Sequence, residues 1–164
     1  MATFARWPLW ILNLLLFPML ISCGESQGTL PIDGATKELQ IGIGIQDFNA
    51  VSDGDDVPLV RGSQGGVHID VAFRLYGLDP EGARLEIDAF DAGSGESVAF
   101  GVSRNLTRSR LRLMEDHWLR TGDQVGLNIF SPDDLTEGTI RVDATVEERN
   151  GVRTSATVEL RVVR

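Results

Sequence analysis

The chain has 164 residues, 42% of them apolar, and carries 15 Lys and Arg against 24 Asp and Glu for a net charge of −9. That composition excludes a disordered polymer and a chain embedded in membrane along its whole length. The acidic balance excludes nucleic acid as a partner, because phosphates demand basic surface, and suits an extracytoplasmic domain kept dispersed by self-repulsion.

Arg6 and the α-amino group form a short positive region, and Trp7 to Ile21 is almost wholly apolar, broken by Pro8, Asn13 and Pro18. At roughly 15 residues the run falls short of the ~20 that span a bilayer as a helix, so it reads as the hydrophobic region of a signal peptide. It ends in Leu20-Ile21-Ser22-Cys23-Gly24, which resembles the bacterial lipobox. The resemblance implies that residues 1–22 are removed and that the Cys23 sulfur carries a diacylglyceryl group. Cys23 is the one cysteine in the chain, so no intrachain disulfide is available. The plainer alternative is an ordinary secretory signal with a chance cysteine at its end. Several acyl chains, at ~0.8 kcal/mol per buried CH₂, anchor a protein stably. Gly24 stands where an aspartate would resemble the inner-membrane retention signal, so the expected location is the outer membrane of a bacterial cell envelope. Residues 23–36 are polar and glycine-bearing and read as a flexible tether, which leaves 37–164 as the folded domain.

In that domain Leu39, Ile41, Ile43 and Ile45 alternate with Gln40, Gly42, Gly44 and Gln46, a first strand whose glycines allow a close approach or a bulge. Pro58 limits Val57 to Val60 to an edge piece. The clearest strand follows a glycine-rich turn: Val67, Ile69, Val71, Phe73 and Leu75 face one way, and His68, Asp70, Ala72, Arg74 and Tyr76 the other. Leu85, Ile87 and Ala89 form the next strand. A hairpin at Gly93 to Glu96 leads to Val98, Phe100 and Val102 as the returning strand. Leu111 and Leu113, then Val125 to Phe130, are further strand segments around the irregular Glu115 to Trp118. Asp133 to Glu137 has the composition of one helical turn. Ile140, Val142, Ala144 and Val146 pair across Asn150-Gly151 with Ala156, Val158, Leu160 and Val162, the strongest short hairpin signal in the chain.

About seven to nine short strands with turns every ~8–12 residues predict an all-β fold, an immunoglobulin-like antiparallel β-sandwich, with a small barrel as the competing closure of the same strands. The segment from Asp53 to His68, Asp-Gly-Asp-Asp-Val-Pro-Leu-Val-Arg-Gly-Ser-Gln-Gly-Gly-Val-His, together with the closing hairpin, resembles uncharacterised lipoproteins of myxobacteria and related bacteria. That resemblance implies location and fold, and no activity.

No Gly-x-Ser-x-Gly, P-loop, Gly-x-Gly-x-x-Gly or His-Glu-x-x-His pattern occurs, and the sequence reads as a non-enzyme. His68 and Gln64, beside the glycine turn, are candidate binding residues; the plainer reading of His68 is a side chain that pins that turn. Trp118 is a candidate stacking platform for sugar, or a core residue. Asp53, Asp55 and Asp56, with Asp47 nearby, offer the oxygen ligands calcium favours without EF-hand spacing, and a solvated turn is the plainer reading. Arg74, Asp70, Glu86 and Asp88 are read as cross-strand charge pairs on one face. The function expected is therefore an interaction or structural module, lipid-anchored through Cys23, whose partner is another envelope protein or a glycan. A calcium-dependent binding domain on the Asp53–Asp56 loop is the alternative.

Overall fold

The computed structural model describes residues 36–164; the lipobox, Cys23 and most of the tether lie outside them. The described chain is built from eleven strands and three single 3₁₀ turns. The strands are β1 (Glu38–Ile43), β2 (Asn49–Ala50), β3 (Asp56–Pro58), β4 (Val60–Arg61), β5 (Val67–Tyr76), β6 (Arg84–Asp91), β7 (Val102–Asn105), β8 (Arg112–Leu113), β9 (His117–Leu127), β10 (Thr139–Glu147) and β11 (Arg153–Val163).

They form two sheets. One has the order β2-β1-β5-β9-β8, with β4 also paired to β5, and the other the order β3-β11-β10-β6-β7. Lettered as in immunoglobulin domains, β1-β5-β9-β8 is the A-B-E-D sheet, and β6, β10 and β11 are C, F and G. The fold is thus an immunoglobulin-like β-sandwich. It carries one parallel pair, β3 beside β11 at the sheet edge. Pro58 is tolerated there because an edge residue needs no ladder N–H. The chain crosses from the first sheet to the second at β3 and returns at β4.

The core fills the space between the sheets because each strand presents alternate apolar residues inward. Ile69, Val71, Phe73 and Leu75 of β5 meet Leu85, Ile87, Ile140, Val142 and Leu160 of the facing sheet, all essentially without solvent contact. No disulfide ties the sheets in this domain, since the single cysteine lies at position 23.

Several segments differ from the sequence expectation. The hairpin turn at Gly93 to Glu96 forms, but the chain after it does not return as one strand. Val98 hydrogen-bonds to Ala89, then Ala99 bridges to Leu127 and the Phe100 N–H donates to Gly126 O at 3.0 Å. The segment therefore crosses from one sheet to the other, and only Val102 onward pairs with β6. β9 begins at His117 rather than near Val125. Thr121 and Gly122 together oppose the single residue Ala72, a bulge in which Gly122 takes φ +76°. Ile45 lies beyond β1 and is exposed, and Leu111 follows a 3₁₀ turn (Arg108–Arg110), leaving β8 only two residues long. Glu86 and Asp88 belong to the second sheet, so they share no face with Asp70 and Arg74. The predicted helical turn is a pair of 3₁₀ turns, Pro132–Asp134 and Thr136–Gly138. The last hairpin closes with Arg149, Asn150 and Gly151 in the loop, Gly151 at φ +84°.

Candidate functional site

The glycine turn before β5 is closed by Gly62 N–H donating to Gly66 O at 2.8 Å and Gly65 N–H donating to Gly62 O at 3.0 Å. Gly65 sits at φ +86°, which a side chain would strain. Gly66 does not: a Cβ built there meets nothing within 4 Å. Its bareness is not needed by the turn; it leaves space above the sheet.

Beside the turn lies an open cleft of about 590 Å³ on the outer face of the first sheet. Gln64 and the turn form one wall, and His68 of β5 and Gln124 of β9 form the floor. Phe100 and Arg104 form the opposite wall. Phe100 is 69% exposed although it lies against the sheet, because Gly126 beneath it has no side chain; a Cβ there would meet the Phe100 ring at 3.3 Å. The crossing segment thus delivers an aromatic face to the solvent side of β9.

Behind His68 lies Asp70, only 9% exposed, with its Oδ1 3.7 Å from His68 Nε2 and in no hydrogen bond. Further along the same outer face the Arg74 guanidinium lies over the Phe48 ring at 4.2 Å, with its Nε unpartnered. Phe48 reaches this position because Gly42 is bare; a Cβ there would meet the ring at 2.6 Å.

On the core side of β9 the bulge has a second consequence. It turns Arg120 and Asp123, three residues apart, to the same core-facing side, opposite Phe73 and Val71. Arg120 Nε and Nη2 donate to the two Asp123 oxygens at 2.5 and 2.6 Å. Arg104 Nε, reaching from the facing sheet, is 4.0 Å from the same carboxylate. The hydrogen-bonded pair lies within β9, and Arg104 of β7 approaches it without a hydrogen bond.

Of the residues named from sequence, Gln64 and His68 share the cleft. Trp118 does not: it faces inward opposite Leu75, 6% exposed and part of the core. Asp53, Asp55 and Asp56 lie elsewhere, along β11. Asp53 Oδ1 accepts from the Glu159 N–H at 2.9 Å, Asp55 Oδ2 accepts from the Ser52 N–H at 2.8 Å, and Asp56 Oδ1 pairs with Arg161 Nε at 2.6 Å. The Asp56 carboxylate also raises the Arg161 guanidinium pKa. Asp47 belongs to the separate β1–β2 turn. No group of three or more His, Cys, Asp or Glu among the described residues is arranged to hold a metal ion. Phe100, Arg104, Gln124 and Gly126 escaped the sequence reading. Phe100 is followed by Gly101 at φ +34°, where the backbone leaves strand geometry although Val98, Phe100 and Val102 go on alternating.

No helix among the described residues is long and apolar enough to cross a membrane. No protein-family model matches the chain, and no curated protein matches it. Among solved structures, the CooA pilin subunit from enterotoxigenic Escherichia coli is similar at 8% identity, covering 76% of this chain and 99% of that one, with a TM-score of 0.29, a level that carries no argument about function.

Proposed function

We propose that this protein is a lipid-anchored, non-catalytic binding module of the bacterial cell envelope, held through Cys23 and contacting another envelope component through the cleft beside the Gly62–Gly66 turn. The observation that carries the reading is the cleft itself: a turn, two strands and the crossing segment converge on it, and the bare Gly126 lets the Phe100 ring lie against the sheet. Binding residues on loops over a rigid sandwich hold their geometry because the strands fix where the loops project. The lipobox resemblance supports the anchor, and Gly24 after Cys23 supports the outer membrane.

Two experiments test this. Cells producing the full chain are labelled with palmitate: the wild type should incorporate label and Cys23→Ala should not, and equal labelling would refute the anchor. The full-length protein, purified in detergent, is then passed over immobilised, delipidated envelope extract. Wild type should be retained, with Phe100→Ala and Gly66→Val retained at least tenfold less. Equal retention of all three would refute the cleft as the contact site.

A further inference from the structure

The chemistry lining the cleft narrows what it binds. Resting on the reading above, we infer that the ligand is a neutral saccharide. The Phe100 ring offers a flat apolar surface to the C–H face of a sugar ring. Around it stand planar groups that pair with vicinal hydroxyls: the Gln64 and Gln124 amides and the Arg104 guanidinium. An amide both donates and accepts, and a guanidinium donates from two nitrogens in one plane. Hydroxyls demand that mixture, because each is at once donor and acceptor. His68 adds an imidazole, whose two ring nitrogens can donate to or accept from a hydroxyl.

Other ligand classes fit less well. An apolar ligand would find Phe100 as its one large exposed apolar surface, with Val67 and Leu127 buried at the base. A polyanion would approach a chain of net charge −9. The cation it would meet, Arg104, already has the Asp123 carboxylate at 4.0 Å. A metal ion would find His68 as the cleft's one strong ligand.

Gly66 and Gly126 give the inference a handle. A Cβ at Gly66 meets no protein atom, and one at Gly126 presses on the Phe100 ring at 3.3 Å, so the two positions perturb the cleft by different routes. The full-length protein in detergent is measured against four immobilised probes: polysaccharide stripped from the envelope, the same material after periodate cleavage of its vicinal diols, delipidated envelope protein, and a panel of neutral and uronic-acid oligosaccharides. The expected result is retention on untreated polysaccharide and on neutral oligosaccharides. Periodate should abolish it, and Phe100→Ala, Gly66→Val and Gln124→Ala should each reduce it at least tenfold, with melting temperatures within a few degrees of wild type. Retention on envelope protein alone, lost in the cleft variants, would overturn the saccharide and leave the binding cleft standing. Preference for uronic-acid sugars over neutral ones would overturn the neutrality. Equal retention of wild type and all variants on every probe, or none at all, would overturn both readings.

Discussion

Replacing Arg120 by methionine should destabilise the domain by about 3 kcal/mol, because it strands a buried carboxylate. Asp123 is 4% exposed, and Arg120 at 11% satisfies both of its oxygens in a two-pronged contact. Removing one partner of a buried pair costs roughly 3–5 kcal/mol, since the remaining charge keeps its desolvation penalty without its counter-charge. The lower end is expected here: Arg104, about half exposed, lies 4.0 Å away and can close part of that distance. For a domain of about 130 residues, an unfolding entropy of ~2.1 cal/mol/K per residue makes each kcal/mol worth about 4 °C, so the melting temperature should fall by about 11 °C. The double variant Arg120→Met/Asp123→Leu should recover most of the loss, because an apolar pair of similar volume leaves nothing unpaired. Urea titrations of wild type, both single variants and the double variant give the coupling energy, provided the m-value is unchanged. Additive effects, or an Arg120→Met loss below about 1 kcal/mol, would show the pair to be worth no more than a surface ion pair.

Phe73 has no solvent contact, so Phe73→Ala should cost about 3–5 kcal/mol, while Gln124→Ala on the outer face should stay within about 0.5 kcal/mol; equal melting temperatures would refute the assigned faces. Asp91 accepts the Thr136 N–H at 2.7 Å and the Gly93 and Ser94 N–H groups at 2.9 and 3.1 Å, and these bonds, Thr136 first, hold its pKa below the ordinary carboxylate value. Its folded pKa being depressed, its contribution is complete above the ordinary carboxylate range and is lost as pH falls below about 4; thermal melts across pH 2–7 should show a shallower acid slope in Asp91→Asn, and an unchanged slope would refute the assignment. Millimolar calcium in place of EDTA should leave the melting temperature unchanged, because Asp53, Asp55 and Asp56 each bond a different protein group; a rise would point to a site that outcompetes those bonds.

The strands that were legible in the sequence are those whose two faces meet opposite environments. β5 and the β10–β11 hairpin read correctly because every second residue enters the core, so periodicity alone fixes face and register. β9 was half hidden because its bulge shifts the period. Trp118 and Val125 both face inward, yet between them the core side carries Arg120 and Asp123, where alternation leads one to expect apolar residues. The Phe100 segment misled for the converse reason: Val98, Phe100 and Val102 alternate, but the chain leaves β6 after Ala99 to bond β9, so Phe100 ends on an outer face. The cleft suffers from both effects. Gln64 and His68 flank a turn that glycine announces, whereas Phe100, Arg104 and Gln124 are brought to it by a crossing between sheets, which no local pattern encodes.

The two outer faces of the sandwich are not equivalent. On the second sheet the polar side chains satisfy one another across the strands. Thr157 Oγ1 donates to Asp143 Oδ1 at 2.9 Å, Thr145 and Ser155 hydroxyls meet at 2.8 Å, Arg153 pairs with Glu147 at 2.6 Å, and Arg141 covers the Phe90 ring. Such a face meets water at little cost. The first sheet is built differently. Its outer face is covered in part by Phe48 and by the crossing segment, it buries Asp70 Oδ1 and Arg74 Nε without giving either atom a partner, and it leaves an open cleft between the Gly62–Gly66 turn and the crossing segment. Buried polar atoms without partners cost about 1–3 kcal/mol each, a burden that sandwich packing alone does not require. Among the described residues three such atoms stand out: Asp70 Oδ1 and Arg74 Nε on the outer face of β5, and Trp118 Nε1 on the core side of β9, so all three fall in the first sheet and none in the second.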